Sequence, residues 1–252
     1  MRAPVFICEI GFPVFYCAGF GIGSDRVAID LSESRRVAPS ILSANYSCLR
    51  EQIADVMDAG ARVIHVDVMD GHFVPPITIG SLVVASISEQ IHDAGGHVDV
   101  HLMIERPEEY IADFAKAGAD SISIHQEATA HVHYALKIIR EAGCAAGLAL
   151  TPATPPEAAS EVLDAIDILL CMTVNPGWGG QEYIPHSTAK IARLREMLPD
   201  HVALEVDGGI DLETGPGAAA AGANLFVAGS HVFGTADPAG AYAALAEIVG
   251  AK

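Results

Sequence analysis

From Val37 onward the chain repeats one pattern eight times: a short apolar run that reads as a strand, then a segment with helical periodicity. The runs begin at Val37, Arg62, His97, Asp120, Ala145, Ile168, Val202 and Asn224, spacings of about 20–35 residues, the scale of a βα repeat. In the first helical segment Leu49, Ile53, Val56 and Met57 share one face. Later helices are predicted near 81–93, from Pro107 (a favoured first helical position), over 130–142, from Pro156, and over 187–198, 212–221 and 238–249. Several end in Ala-Gly, at 59–60, 117–118, 142–143 and 221–222, where glycine takes the left-handed cap at little steric cost. Eight such units predict an α/β protein of the TIM type, a closed (β/α)8 barrel of parallel strands. An open doubly wound sheet is the alternative. No break in composition divides residues 37–252, which are expected to form one catalytic barrel domain.

Residues 1–36 precede the first repeat and are expected to be an extension, disordered or appended, that catalysis does not need. Residues 5–23 are apolar, but Glu9 and Pro13 interrupt them, and Arg2 alone is a thin positive flank. The bulky residues before Cys17 do not suit a lipoprotein signal, so neither a signal nor a membrane anchor is expected. The five cysteines form no CxxC pair and are odd in number; Cys144 and Cys171 read as small core residues. A disulfide framework is not expected, which suits the cytoplasm. The balance of 14 Lys and Arg against 32 Asp and Glu, net −18, repels phosphate backbones and argues against nucleic acid as a partner. A small anion remains admissible if backbone N–H groups, helix N-termini or a metal ion supply local attraction.

In such barrels the chemistry lies at the C-terminal ends of the strands. The second run ends His65-Val66-Asp67-Val68-Met69-Asp70-Gly71, and residues two apart on a strand point the same way. The third ends Asp99-Val100-His101-Leu102-Met103 and the seventh Glu205-Val206-Asp207-Gly208-Gly209. His65, Asp67, His101 and Asp207 therefore bring two imidazoles and two carboxylates to one mouth, a ligand set suited to one Zn, Mn, Fe or Co ion. Taken singly, a strand histidine is more often a hydrogen-bonded core residue and an aspartate at a strand end a helix cap. Glycine-rich loops follow the late strands: Asn175-Pro176-Gly177-Trp178-Gly179-Gly180-Gln181, Gly208-Gly209 and Gly229-Ser230. Glycine lets backbone N–H groups approach an anion closely, and phosphate sites after strands seven and eight are frequent in this fold.

The segments Ala38-Pro39-Ser40-Ile41-Leu42-Ser43-Ala44, His65 to Pro75, Asn175 to Gln181 and Val206 to Ile210 resemble the signature segments of the ribulose-phosphate 3-epimerase family. The resemblance runs over about residues 37–249, in the family's order. It implies that His65, Asp67, His101 and Asp207 hold the catalytic divalent metal and that Asp67 and Asp207 are the acid/base pair. It implies that Ser40 contacts the substrate and that Gly177, Trp178, Gly179, Gly180, Gly208, Gly209, Gly229 and Ser230 hold its phosphate end. His101 is expected to touch substrate as well as metal. Met69, Met103 and Met172 match methionines lining the family's site. Pro76 departs from the family, which has Asn there and so a side-chain hydrogen-bonding group that proline lacks; Trp178 stands where the family has Phe.

The resemblance implies an isomerase-class enzyme of the pentose phosphate pathway, cytoplasmic and homo-oligomeric, that inverts carbon 3 of ribulose 5-phosphate. Inverting a carbon beside a carbonyl requires proton removal on one face and delivery on the other, which two carboxylates can share. The alternatives are an epimerase of another phosphorylated ketose such as allulose 6-phosphate, an aldose–ketose isomerase, and a non-catalytic sugar-phosphate-binding protein. The paired His/Asp set speaks against the isomerase, and the retention of both aspartates against the binding protein.

Overall fold

The structure, a computed structural model, describes residues 29–252. The apolar segment 5–23, Cys8 and Cys17 lie outside the described residues. Eight strands form one sheet: β1 (Arg36–Pro39), β2 (Val63–Met69), β3 (His97–Met103), β4 (Ser121–His125), β5 (Ala145–Leu150), β6 (Ile168–Met172), β7 (Ala203–Asp207) and β8 (Leu225–Ala228). Their order is β1-β8-β7-β6-β5-β4-β3-β2 and every pairing is parallel. A single parallel bridge, Ser40 with His65, joins β1 to β2 and brings the ends of the sheet together. The TIM barrel expected from the repeats is therefore the fold, and the open sheet is not.

The helices between the strands are α1 (Leu49–Asp58), α2 (Ser81–Asp93), α3 (Ile111–Ala117), α4 (Val132–Glu141), α5 (Ser187–Met197), α6 (Gly215–Ala220), α7 (Ser230–Phe233) and α8 (Pro238–Val249). Two helical predictions differ in kind. Pro107 opens a 3-10 turn, Pro107–Glu109, ahead of α3, and Pro156–Ala165 is a 3-10 helix throughout. The latter buries only Pro156 and Ala159, three residues apart, one turn of a three-residue helix.

The strands face two ways. Ile64, Val66 and Val68 of β2, Val98, Val100 and Leu102 of β3, and Leu204 and Val206 of β7 belong to the large apolar core shared with the helices. Each such side chain contributes about 1.5–3 kcal/mol by leaving water. Their neighbours on the alternate positions, His65, Asp67, Asp99, His101, Glu205 and Asp207, occupy the barrel interior, where a polar residue on the outer face would have faced apolar helices. The outer face thus supplies stability and leaves the inner face free for chemistry.

The lower end of the barrel is closed by Leu31, which packs with Ala38, Val63, Ile168, Ala203, Leu225 and Val227. Asn224 Nδ2 donates to the carbonyls of Leu31 and Ser32, both at 3.1 Å. Arg35 donates to the carbonyls of Val249 and Ala219, both at 3.0 Å. Residues 31–35, read from sequence as part of the extension, are thus packed on the barrel. A chain beginning at Arg36 should melt below one beginning at Ile29, because emptying a buried leucine site costs about 2–5 kcal/mol. Parallel thermal melts of the two chains check this, and equal melting temperatures would make the plug idle.

Candidate active site

The site grows from the inner faces of β2, β3 and β7. Register puts Asp67 beside His101 and His65 beside Asp99, while Asp207 pairs with Met172 of β6. In ring order β2 and β7 are separated by β1 and β8, so Asp67 and Asp207 come from different sides of the mouth. His65, Asp67, His101 and Asp207 nevertheless converge: one ligand atom from each lies within 4.8 Å of the others. Asp67 Oδ1 is 3.3 Å from His65 Nε2 and 3.1 Å from His101 Nδ1, and Asp207 Oδ2 is 3.8 Å from the same Nδ1. The four residues that sequence reasoning singled out are one cluster.

The donor set fits a divalent ion. His65 Nε2 is buried and has no hydrogen-bond partner, although it faces Asp67. A buried polar nitrogen is costly to leave unpaired unless something binds its lone pair. Two imidazole nitrogens and two carboxylate oxygens at this spacing are what a Zn-, Mn-, Fe- or Co-type ion uses. Burial pushes His101 down to about 4, so its ring is neutral near pH 7 and has a lone pair to give.

The two aspartates differ. Burial alone would raise Asp67, but the neighbouring His65 and His101 outweigh it and hold its carboxyl well below the usual range. Ser40 Oγ adds a hydrogen bond to Asp67 Oδ2 at 2.5 Å. Burial and the neighbouring Asp67 charge push Asp207 up to about 7. The two carboxylates of the cluster thus differ in proton affinity.

An open cavity sits above the cluster. Ser40, Asp67, Asp207, Gly177, Trp178, Gly179, Gly180, Gly208, Gly209, Gly229 and Ser230 all line it, with Met69, Met103 and Met172. His101 does not line it. It is fully buried, with Nδ1 3.1 Å from Asp67 Oδ1. At Gly209 the φ angle is +64°, and an added Cβ would stand 2.6 Å from the Tyr183 backbone nitrogen, so glycine is required for the loop to close over the cavity. No Lys or Arg is among the lining residues. Pro76 borders the outer part of the cavity with Thr78 and Trp178.

A lower tier supports the cluster, and sequence reasoning missed it. His65 Nδ1 is 2.6 Å from Asp99 Oδ2 and 3.3 Å from Glu205 Oε1, and Ser121 Oγ donates to Asp99. Asp99 therefore holds Nδ1–H and leaves Nε2 facing the cluster. Burial and the Asp99 charge raise Glu205 well above its ordinary value. A second tier, His125 and Glu127 at the end of β4, lies behind His101. The available signal was the same two-residue spacing: Asp99 precedes His101, and Glu205 precedes Asp207, by two.

Comparison with known proteins agrees with this geometry. The model of the ribulose-phosphate 3 epimerase family matches residues 36–233. The chain is 48% identical over 221 residues to a ribulose-phosphate 3-epimerase of Bacillus subtilis, covering 86% of this chain and 99% of the relative. It is 50% identical over 208 residues to that of Synechocystis sp., covering 81% and 89%. It is 44% identical over 204 residues to that of Escherichia coli K12, covering 80% and 90%. Among solved structures, KGPDC from Streptococcus mutans superposes with a TM-score of 0.66 at 18% identity, over 86% of this chain and 98% of that one. A 3-hexulose-6-phosphate synthase from Salmonella typhimurium gives 0.64 at 16%, over 85% and 98%. At such identities those two likenesses speak for the barrel alone. The family match spans nearly the whole described barrel, and relatives of almost the same extent share nearly half its residues: the chain belongs to the ribulose-phosphate 3-epimerase family.

Proposed function

We propose that this protein interconverts ribulose 5-phosphate and xylulose 5-phosphate by inverting carbon 3, within the pentose phosphate pathway. The observation that carries the reading is the pair Asp67 and Asp207. They reach one cavity from separate sides of the barrel mouth. Asp67, fixed by Ser40, withdraws the carbon 3 proton on one face, and Asp207 delivers a proton on the other; in the reverse direction the roles exchange. A divalent ion held by His65, Asp67, His101 and Asp207 supplies, when bound, Lewis-acid stabilisation of the negative charge that develops on the substrate oxygens. Ser40 and the methionines shape the cavity around the sugar. Turnover of ribulose 5-phosphate in heavy water tests the proposal: deuterium should enter at carbon 3 of the xylulose product and no aldose should form. Faster turnover of allulose 6-phosphate would move the assignment to the longer ketose, and aldose formation to an isomerase.

The phosphate is held by backbone N–H groups of the loops at 177–180, 208–209 and 229–230. The positive φ angles at Gly177, Gly180, Gly208 and Gly209, and the lack of Lys or Arg among the lining residues, support this. Gly179 is the informative position, because its backbone is not left-handed and an added Cβ would meet only Ser43 Oγ, at 3.3 Å, more closely than ordinary contact. Gly179→Val should therefore fold, yet place a branched side chain at the anion's approach. We expect KM for ribulose 5-phosphate to rise roughly tenfold or more, about 1.4 kcal/mol, with kcat far less affected. Steady-state kinetics with unchanged KM would put the phosphate elsewhere. The same reading includes a homo-oligomer in the cytoplasm. Supporting it are the exposed apolar side chains of Ile77 and Leu82, and the free thiols of Cys48, Cys144 and Cys171. Among the described residues no helix is long and apolar enough to cross a membrane.

A further inference from the structure

Behind His101 a chain of hydrogen bonds runs outward along the inner face of β4. His101 Nε2 lies 2.8 Å from His125 Nε2, and His125 Nδ1 lies 3.3 Å from Glu127 Oε2. His101 and His125 are both fully buried, their ring centroids 4.9 Å apart, and Phe73 covers the other side of His125 at 4.9 Å. Glu127 ends the chain. Its Oε1 accepts from the Thr151 backbone N–H at 3.0 Å, from Thr151 Oγ1 at 2.9 Å and from Thr154 Oγ1. The Thr151 carbonyl in turn accepts from the buried Lys190 Nζ at 2.7 Å.

If both imidazoles in contact through Nε2 are neutral, one nitrogen must donate and the other accept, so the chain then has two possible polarities. In one, Asp67 accepts from His101 Nδ1–H, His125 donates through Nε2, and its Nδ1 lone pair meets Glu127, which must then be protonated. In the other, an anionic Glu127 accepts from His125 Nδ1–H, His125 Nε2 accepts from His101 Nε2–H, and His101 Nδ1 is left with a lone pair. The donors around Glu127 decide between them. A carboxylate oxygen that receives a backbone N–H and two hydroxyls is stabilised as the anion. Burial alone would raise Glu127, but hydrogen bonds from His125, Thr154 and Thr151 hold it down to about 2.

We infer that His125 and Glu127 are positioning residues: through one hydrogen-bond chain they fix His101 in the tautomer whose Nδ1 lone pair faces Asp67 and Asp207. This rests on the metal-centre reading of the His/Asp cluster. Outer-shell partners of this kind orient a histidine ligand and raise its basicity, and their loss costs roughly 10–100-fold in metal affinity. The pair mirrors Asp99, which fixes the opposite tautomer in His65, with Nδ1–H and a free Nε2.

The test uses the full chain with ¹⁵N-labelled histidine, with and without Zn²⁺, as wild type, Glu127→Gln and His125→Phe. Two-bond ¹⁵N–¹H correlation spectra read the tautomer of each ring, and competition with a chelator reads Zn²⁺ affinity. Wild type should show His101 protonated at Nε2 and His125 at Nδ1. Both variants should bind Zn²⁺ roughly 10–100-fold more weakly, and His101 should lose its Nε2–H preference. Glu127 is at the edge of the barrel, so Glu127→Gln should fold even if the ring replacement does not. Wild type that retains no Zn²⁺ while keeping the Nε2–H tautomer would remove the metal reading and leave the relay standing. Tight Zn²⁺ in wild type and equally tight Zn²⁺ in Glu127→Gln, with His101 unchanged, would overturn the relay. His101 protonated at Nδ1 in the Zn²⁺-loaded wild type would overturn it as well.

Discussion

Asp207→Asn should lower epimerisation by roughly 10²–10⁴-fold, the usual worth of a general acid or base in the transition state. The amide keeps the size and polarity of the side chain but cannot give up or take a proton at the pH of turnover. Asp207 is the cleaner of the two aspartates to change. It has one close cluster neighbour, His101 Nδ1 at 3.8 Å, whereas Asp67 also holds Ser40 and approaches both histidines. With Asp67 intact, one epimer should still exchange its carbon 3 hydrogen with heavy water without inverting. Asp67→Asn should abolish inversion too, and because both aspartates are proposed metal ligands, metal content must be measured beside the rate in each variant. Inversion at near-normal rate in both Asn variants would overturn the two-carboxylate mechanism.

The second large effect concerns the metal. Protein purified without chelator should carry about one divalent ion per chain by elemental analysis. Chelation should abolish turnover, and adding back the ion should restore it. His101→Ala should weaken retention by more than the roughly 10–100-fold typical of outer-shell changes, because it deletes a ligand atom. It also strands the buried His125 Nε2, 2.8 Å from the lost ring. Metal-free protein turning over at full rate would sink the metal-dependent mechanism.

The barrel was legible because two periodicities repeat along the chain: alternation within each strand, and the strand–helix unit itself. The same alternation made the four-residue cluster legible, since His65 and Asp67, or Glu205 and Asp207, can only share a face. What stayed hidden depended on neighbours across strands. His125 gains its meaning from His101, 24 residues away, and Glu127 from hydroxyls on the loop after β5. No local pattern marks either pairing. Leu31 is another case: one apolar residue between Asp30 and Ser32 has no period to announce it, yet it fills the barrel's lower end. The boundary drawn at Val37 followed the repeat, whereas packing follows the nearest apolar space.

The seam between β1 and β2 has one ladder bridge, at Ser40 and His65, where every other strand pair has three or more. Ser40 also grips Asp67, so parting the seam would disengage the base in the same motion. Residues on both sides of that seam, Ser40 and Asp67, line the cavity with Gly229 and Asp207 further round the rim, so a ligand there would meet both sides. Such a guest would bridge the least-laddered seam of the ring. Occupancy should therefore slow amide hydrogen exchange at the seam more than along the fully paired β3 to β6 arc, joining mechanical closure of the ring to readiness of the acid–base pair.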